Sequence, residues 1–156
     1  MDLKQLYQDI ILEHGKSPRN LGKCEGYSHD AKGYNPLCGD KVHVYLKLDD
    51  AKKVESLTFE GEGCAISLAS ASIMTELVKG KSFEESKEIM KSFLNMIKNT
   101  SEIQSNYLND DQKTKLMSLS GVKQFPMRVK CATLSWHTLV SALDCKKIEV
   151  NTEKED

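Results

Sequence analysis

A change of hydrophobic period near residue 61 constrains this chain more than any other feature. Before it, Val42, Val44, Leu46 and Leu48 alternate with His43, Tyr45 and Lys47. One apolar residue in two marks a half-buried strand, because successive side chains point to opposite faces. After Asp49-Asp50-Ala51-Lys52-Lys53, Leu57 and Phe59 resume the alternation over residues 54–60. Two such runs joined by a short polar loop predict an antiparallel hairpin. Beyond Gly61-Glu62-Gly63 the spacing turns helical. Ile66, Ala69, Ile73, Leu77 and Val78 share a helix over residues 64–79, with Gly80 as its stop.

More helices follow. Ser82-Phe83-Glu84-Glu85 has the form of a capping box and precedes Ile89, Phe93 and Ile97. Residues 99–109 read as a polar loop and 110–119 as a short helix. Pro126 suits the first turn of a last helix running to residue 144, where its missing N–H costs nothing. At the other end, Leu3, Leu6, Tyr7, Ile10 and Ile11 give residues 2–14 one apolar helical face. Residues 26–34 suggest an edge strand. Strands come first and helices after, so the class is α+β and not a βαβ repeat. We expect one domain over residues 1–145. Residues 146–156 form a charged tail, frayed from Asn151 onward.

The chain has 156 residues, 22 of them Lys or Arg and 23 Asp or Glu, for a net charge of −1. That balance lacks the basic footprint of a nucleic-acid binder. No apolar run approaches the roughly 20 residues of a membrane span. Met1 to Lys16 carries acids and no signal-peptide pattern, so a cytoplasmic setting is expected. Five Cys, an odd number, fit a disulfide framework poorly. In a reducing compartment such thiols serve as metal ligands, nucleophiles or core residues.

Three of them lie at element boundaries, where sites tend to be built. Cys38 is in the turn-forming Asn35-Pro36-Leu37-Cys38-Gly39-Asp40, Cys64 starts a helix, and Cys131 lies near the start of the last helix. Cys38 and Asp40, two apart in an extended segment, point to the same side. At a helix start, Cys64 meets a dipole that favours thiolate. Cys38, Asp40, Cys64 and Cys131 would together offer three sulfurs and one oxygen, a set that suits zinc or iron–sulfur chemistry over magnesium or calcium. Three thiolates and a carboxylate leave a zinc site at −2, so nearby cations are expected. Arg128, Lys130 and Lys41 are the candidates for that compensation. There is no Cys-x-x-Cys pair, and spacing alone fits three unrelated core thiols equally well.

At these residues the chain resembles the IscU-like family of iron–sulfur assembly proteins, which also takes in the NifU N-terminal domain. The likeness rests on Asn35-Pro36-Leu37-Cys38-Gly39-Asp40, on Gly61-Glu62-Gly63-Cys64-Ala65-Ile66-Ser67 and on Arg128-Val129-Lys130-Cys131-Ala132-Thr133-Leu134. The motifs come in the family's order, and the likeness spans residues 1–145. IscU scaffolds carry a His before the third Cys, where this chain has Lys130. The stretch between Cys64 and Cys131 is also longer, with an extra segment around residues 99–123. Both features resemble the SufU branch. The resemblance implies a small three-stranded antiparallel sheet covered by helices, as in SufE and IscU. It implies zinc held by Cys38, Asp40, Cys64 and Cys131. It further implies persulfide transfer from a SufS-type cysteine desulfurase to Cys38, freed from the metal by a partner His, and onward delivery to downstream iron–sulfur assembly proteins. The alternative is a scaffold binding iron or a [2Fe–2S] cluster on the same ligands, and a third is a structural zinc module.

Other features read blandly. Cys24 and Cys145 match no motif and are taken as ordinary reduced thiols. The four His are scattered, with His43 on the outer face of its strand. Gly61-x-Gly63 lacks the third glycine of a dinucleotide fingerprint. Ser67, Ser70 and Ser72 read as small residues that let a helix approach the sheet.

Overall fold

The computed structural model describes residues 2–99, 102–146 and 148–153. In chain order the elements are α1 (Leu3–Lys16), β1 (His29–Asn35), β2 (Asp40–Leu48), β3 (Val54–Glu62), α2 (Ala65–Val78), α3 (Phe83–Asn99), α4 (Asp110–Met117), a 3₁₀ segment (Ser118–Gln124), α5 (Pro126–Leu143) and β4 (Val150–Asn151). The class is α+β, as expected. No helix among the described residues is long and apolar enough to cross a membrane.

The sheet corrects the three-stranded, all-antiparallel expectation. It has four strands in the order β3-β2-β1-β4. β1 pairs antiparallel with β2 from His29↔Leu46 to Asn35↔Asp40, and β2 pairs antiparallel with β3. β4 then adds parallel to β1, Gly33 opposite Val150 and Tyr34 opposite Asn151. The far end of β1 is therefore covered and is no free edge. The charged residues around 150 hid this strand, which is two residues long and shows no alternation. Val150 and Thr152 are buried, so the chain is docked where fraying was expected. Lys154 to Asp156, the rest of that expected tail, lie outside the described residues.

The hairpin forms as its alternation predicts. Val42, Val44, Leu46, Leu57 and Phe59 bury on the helix-covered face. The loop closes through Asp49, whose carboxylate accepts from the Ala51 and Lys53 N–H groups at 2.9 Å. On the outer face His43 bonds Asp30 at 2.6 Å and Tyr45 at 3.0 Å. Tyr45 is nonetheless buried, because the Tyr27 ring meets it edge-on at 5.1 Å.

The helices start where the sequence signals them. The Ser82 box is present, with Glu85 N–H on Ser82 Oγ at 3.2 Å and Ser82 N–H on the Glu85 carboxylate at 2.8 Å. α2 is buried nearly all round. Its Ser70 Oγ accepts from Trp136 Nε1 at 3.1 Å and donates to the Ala132 carbonyl at 2.5 Å, tying α2 to α5. Residues 102–109 run as a loop that anchors Ile103 and Leu108 in the core. α5 lies across β1 and β2 and carries the fully buried Trp136, Leu134 and Cys131.

Candidate metal and thiol centre

Three elements converge at one end of the sheet. The β1–β2 turn carries Cys38, with Asp40 opening β2. The β3–α2 junction carries Cys64, and the second turn of α5 carries Cys131. Gly39 at φ 71° turns the chain tightly between Cys38 and Asp40, in a region open to glycine at no steric cost.

The ligand atoms of Cys38, Asp40 and Cys131 all lie within 4.8 Å of one another. Cys131 Sγ lies 3.3 Å from Cys38 Sγ. Asp40 and Cys131 are fully buried, whereas Cys38 is half-exposed. Asp40 does two further jobs. Its Oδ1 accepts the Cys64 N–H at 2.9 Å, and its Oδ2 accepts from Asn35 Nδ2 at 2.9 Å. Cys64, the fourth expected ligand, stands beside this group of three and outside it. It is the N-cap of α2, its sulfur accepting the Ser67 N–H at 3.5 Å.

The electrostatics follow from this packing. The Cys64 thiol is held down to about 6, first by the hydrogen bond from Cys131 and then by the Ser67 N–H, against burial and the Asp40 charge. Cys131 moves the opposite way. It is pushed far above the ordinary thiol value because it donates to Cys64, with burial next in size.

The three expected cations separate. Arg128 Nη1 lies 3.8 Å from Cys38 Sγ. Its guanidinium is raised further above its ordinary value, chiefly by a hydrogen bond to Cys131 and by the charges of Cys64 and Cys38. Lys130 instead turns to Glu153, 3.0 Å away, and Lys41 sits 6.0 Å above the Tyr34 ring. Adjacency in sequence put these lysines near the ligands, but side chains next to each other on a helix or strand face different ways. Cys24 is buried beside Ser56, and Cys145 is exposed at φ 56°; neither is in a disulfide.

Two residues at the centre escaped sequence reasoning. Asn35 reads as a turn former before Pro36, yet it is fully buried and its Nδ2 also reaches Cys131 Sγ at 3.4 Å. Tyr7 reads as part of an apolar helix face. Its phenol is raised by burial first, with Arg128 opposing and the Cys64 and Cys131 charges adding to the rise. Asn35 bonds Asp40 within the same turn motif but Cys131 lies 96 positions away, and that longer contact is what the sequence does not show.

Comparison with known proteins agrees with the fold. The chain belongs to the family described as the NifU-like N-terminal domain, which matches residues 6–132. A Bacillus subtilis (strain 168) protein named zinc-dependent sulfurtransferase SufU is 43% identical over 138 residues, covering 88% of this chain and 89% of that one. A Thermotoga maritima protein named iron–sulfur cluster assembly scaffold protein IscU is 37% identical over 149 residues, covering 95% and 98%. The crystal structure of FiSufU from the thermophile Fervidobacterium islandicum AW-1 superposes with a TM-score of 0.78 at 37% identity, covering 89% of this chain and 97% of that one.

Proposed function

We propose that this chain is a zinc-dependent sulfurtransferase of iron–sulfur cluster assembly, accepting persulfide sulfur from a SufS-type cysteine desulfurase through Cys38. The observation that carries this reading is the convergence of Cys38, Asp40 and Cys131, with Arg128 on the half-exposed Cys38. The kinship with the Bacillus subtilis sulfurtransferase supports it. In this reading residues 1–145 act as one domain in the cytoplasm, and downstream iron–sulfur assembly proteins take the sulfur onward.

The donor set fits zinc. Two thiolates bound tetrahedrally at about 2.3 Å stand about 3.8 Å apart. Cys38 and Cys131 already stand at 3.3 Å, and Asp40 adds an oxygen within reach. Cys64 would complete four ligands by turning its sulfur from the Ser67 N–H. The N–H of Asn35 supports two of the ligands from behind, as metal sites require. Bound zinc would keep the thiols deprotonated while damping their nucleophilicity.

The chain's own residues account for the transfer step. Cys38 and Cys64 are both partly exposed, and Cys38 has the Arg128 guanidinium 3.8 Å from its sulfur, so it is the one taken to meet the partner. Its thiolate attacks the outer sulfur of the partner's cysteine persulfide. A new S–S bond forms on Cys38 as the partner's S–S bond breaks, and the partner cysteine leaves as thiolate. The proton of the outer sulfur travels with it, and no external oxidant is needed. Arg128 faces Cys38 Sγ, where its charge favours the attacking thiolate.

The test is alanine production by a SufS-type desulfurase from free cysteine, with and without the zinc-loaded protein. A large increase that disappears in Cys38→Ala is expected. No increase would transfer the weight to the cluster-scaffold role that the Thermotoga relative's name carries. Arg128→Ala is expected to slow the transfer by about 3- to 5-fold with zinc retained, the size of a solvent-screened charge contact. Lys130→Ala should stay within about twofold of the parent, because its partner is Glu153. Equal losses in the two variants would remove Arg128 from the step.

A further inference from the structure

The segment Val150–Glu153 takes no part in the chemistry above, yet it touches the centre from behind. Thr152 is 2% exposed. Its N–H donates to the Tyr34 carbonyl at 3.1 Å, extending the parallel pairing of β4 with β1. Its hydroxyl donates to Asn35 Oδ1 at 2.9 Å. A carboxamide is planar, with its oxygen on one side and two N–H groups on the other. Both N–H directions of Asn35 are in use, one toward Asp40 Oδ2 and one toward Cys131 Sγ. Holding the oxygen therefore aims the two N–H groups.

We propose that Thr152 is a positioning residue of the metal centre. Acting through Asn35, its hydroxyl fixes the Asp40 carboxylate and the Cys131 sulfur where a bound ion needs them. This rests on the reading of Cys38, Asp40, Cys64 and Cys131 as metal ligands. Three facts favour the hydroxyl over general packing of the segment. Asn35 is wholly buried, so no solvent replaces Thr152 at its oxygen. The outer contact of the segment, Lys130 with Glu153, is solvent-exposed and holds little. The carboxamide contacts two of the candidate ligands at once, so an error in its orientation reaches both.

The experiment compares the parent with Thr152→Val, Thr152→Ala and Thr152→Ser. Valine keeps the shape but removes the hydroxyl, leaving Asn35 Oδ1 buried and unpaired. Alanine removes the hydroxyl while demanding less space, which guards against a valine variant that fails to fold. Serine restores the hydroxyl without the methyl. Zinc affinity is measured by competition with a chromophoric chelator, and folding by thermal unfolding. Valine and alanine are expected to weaken zinc by about 10-fold or more, the usual effect of losing a ligand's outer partner, while serine stays within about threefold. In the metal-free proteins, mass spectrometry should find Cys131 alkylated faster in the valine and alanine variants and at the parent rate in serine. Parent-like affinity and alkylation in the valine and alanine variants would overturn the proposal. So would a serine variant as weak as valine, since packing would then be the cause. If the parent itself takes up no zinc, the zinc reading fails, and the alkylation rates still decide the role of Thr152.

Discussion

Gly63→Ala is expected to purify without stoichiometric zinc and to lose sulfur transfer. Gly63 sits at φ 146°, where side chains are strained whatever the space. The space is also taken. A Cβ there would come within 2.2 Å of Asp40 Oδ1, 2.9 Å of its Cγ and 3.0 Å of its Cα. Asp40 has no room to withdraw, being fully buried in β2 with one oxygen on the Cys64 N–H and the other on Asn35. Moving it breaks both bonds and separates it from Cys38 and Cys131. Strain and overpacking each cost about 1–3 kcal/mol, so a combined loss of about 2–6 kcal/mol in unfolding free energy is expected. Gly39 supplies the control. It also has positive φ, 71°, but nothing lies within 4 Å of its notional Cβ. Gly39→Ala should cost about 1–2 kcal/mol and keep its zinc. Elemental analysis and urea unfolding of the two variants check this. A Gly63→Ala protein with full zinc and a parent-like midpoint would show that the junction yields more easily than its packing implies.

Gly33→Ala is expected to give the largest loss of stability in the sheet. A Cβ on Gly33 would meet Thr138 Oγ1 at 2.2 Å, Leu134 Cδ1 at 2.9 Å and Val42 Cγ1 at 3.2 Å. Those atoms belong to α5 and β2, so the methyl group acts as a wedge between helix and sheet. Thr138 cannot simply turn, since its hydroxyl donates to the Leu134 carbonyl at 2.7 Å. The cost should reach about 3 kcal/mol, the upper part of the overpacking range. The damage also travels along both elements, because β1 ends in Asn35 and α5 carries Cys131. Gly33→Ala should therefore weaken zinc binding, although Gly33 touches no ligand. Adding Thr138→Ala clears the nearest atom and should recover part of the stability. A double variant no better than Gly33→Ala alone would assign the cost to Leu134 or to the strand itself.

Periodicity carried the fold in sequence as far as periodicity extends. The alternation from Val42 to Phe59 and the helical spacing from Ile66 to Val78 each name an element, a face and a partner type. The Ser82 box and Pro126 mark helix starts through backbone chemistry that needs no tertiary context. β4 has neither signal. Two residues long, it exists because β1 offers unpaired backbone groups near Gly33 and Tyr34. The centre divides in the same way. Cys38, Asp40 and Cys131 were legible because a thiol or carboxylate at an element boundary is chemically conspicuous. Asn35 and Thr152 were not, since the bond that joins them spans 117 positions and the one from Asn35 to Cys131 spans 96. Lys130 and Lys41 misled for the converse reason, since sequence adjacency is no guide to where a long side chain ends.

The sulfurs of Cys38 and Cys131 meet across 93 positions of sequence, and Asn35 reaches Cys131 across 96. A loop of that length closes only when α5 docks onto the sheet, after local hairpins and helices have formed. An incomplete fold therefore carries scattered thiols with no Arg128 beside Cys38 and no Cys131 against it. Competence to receive sulfur doubles as a certificate of folding: a chain that has not closed this loop has nothing for a sulfur donor to recognise.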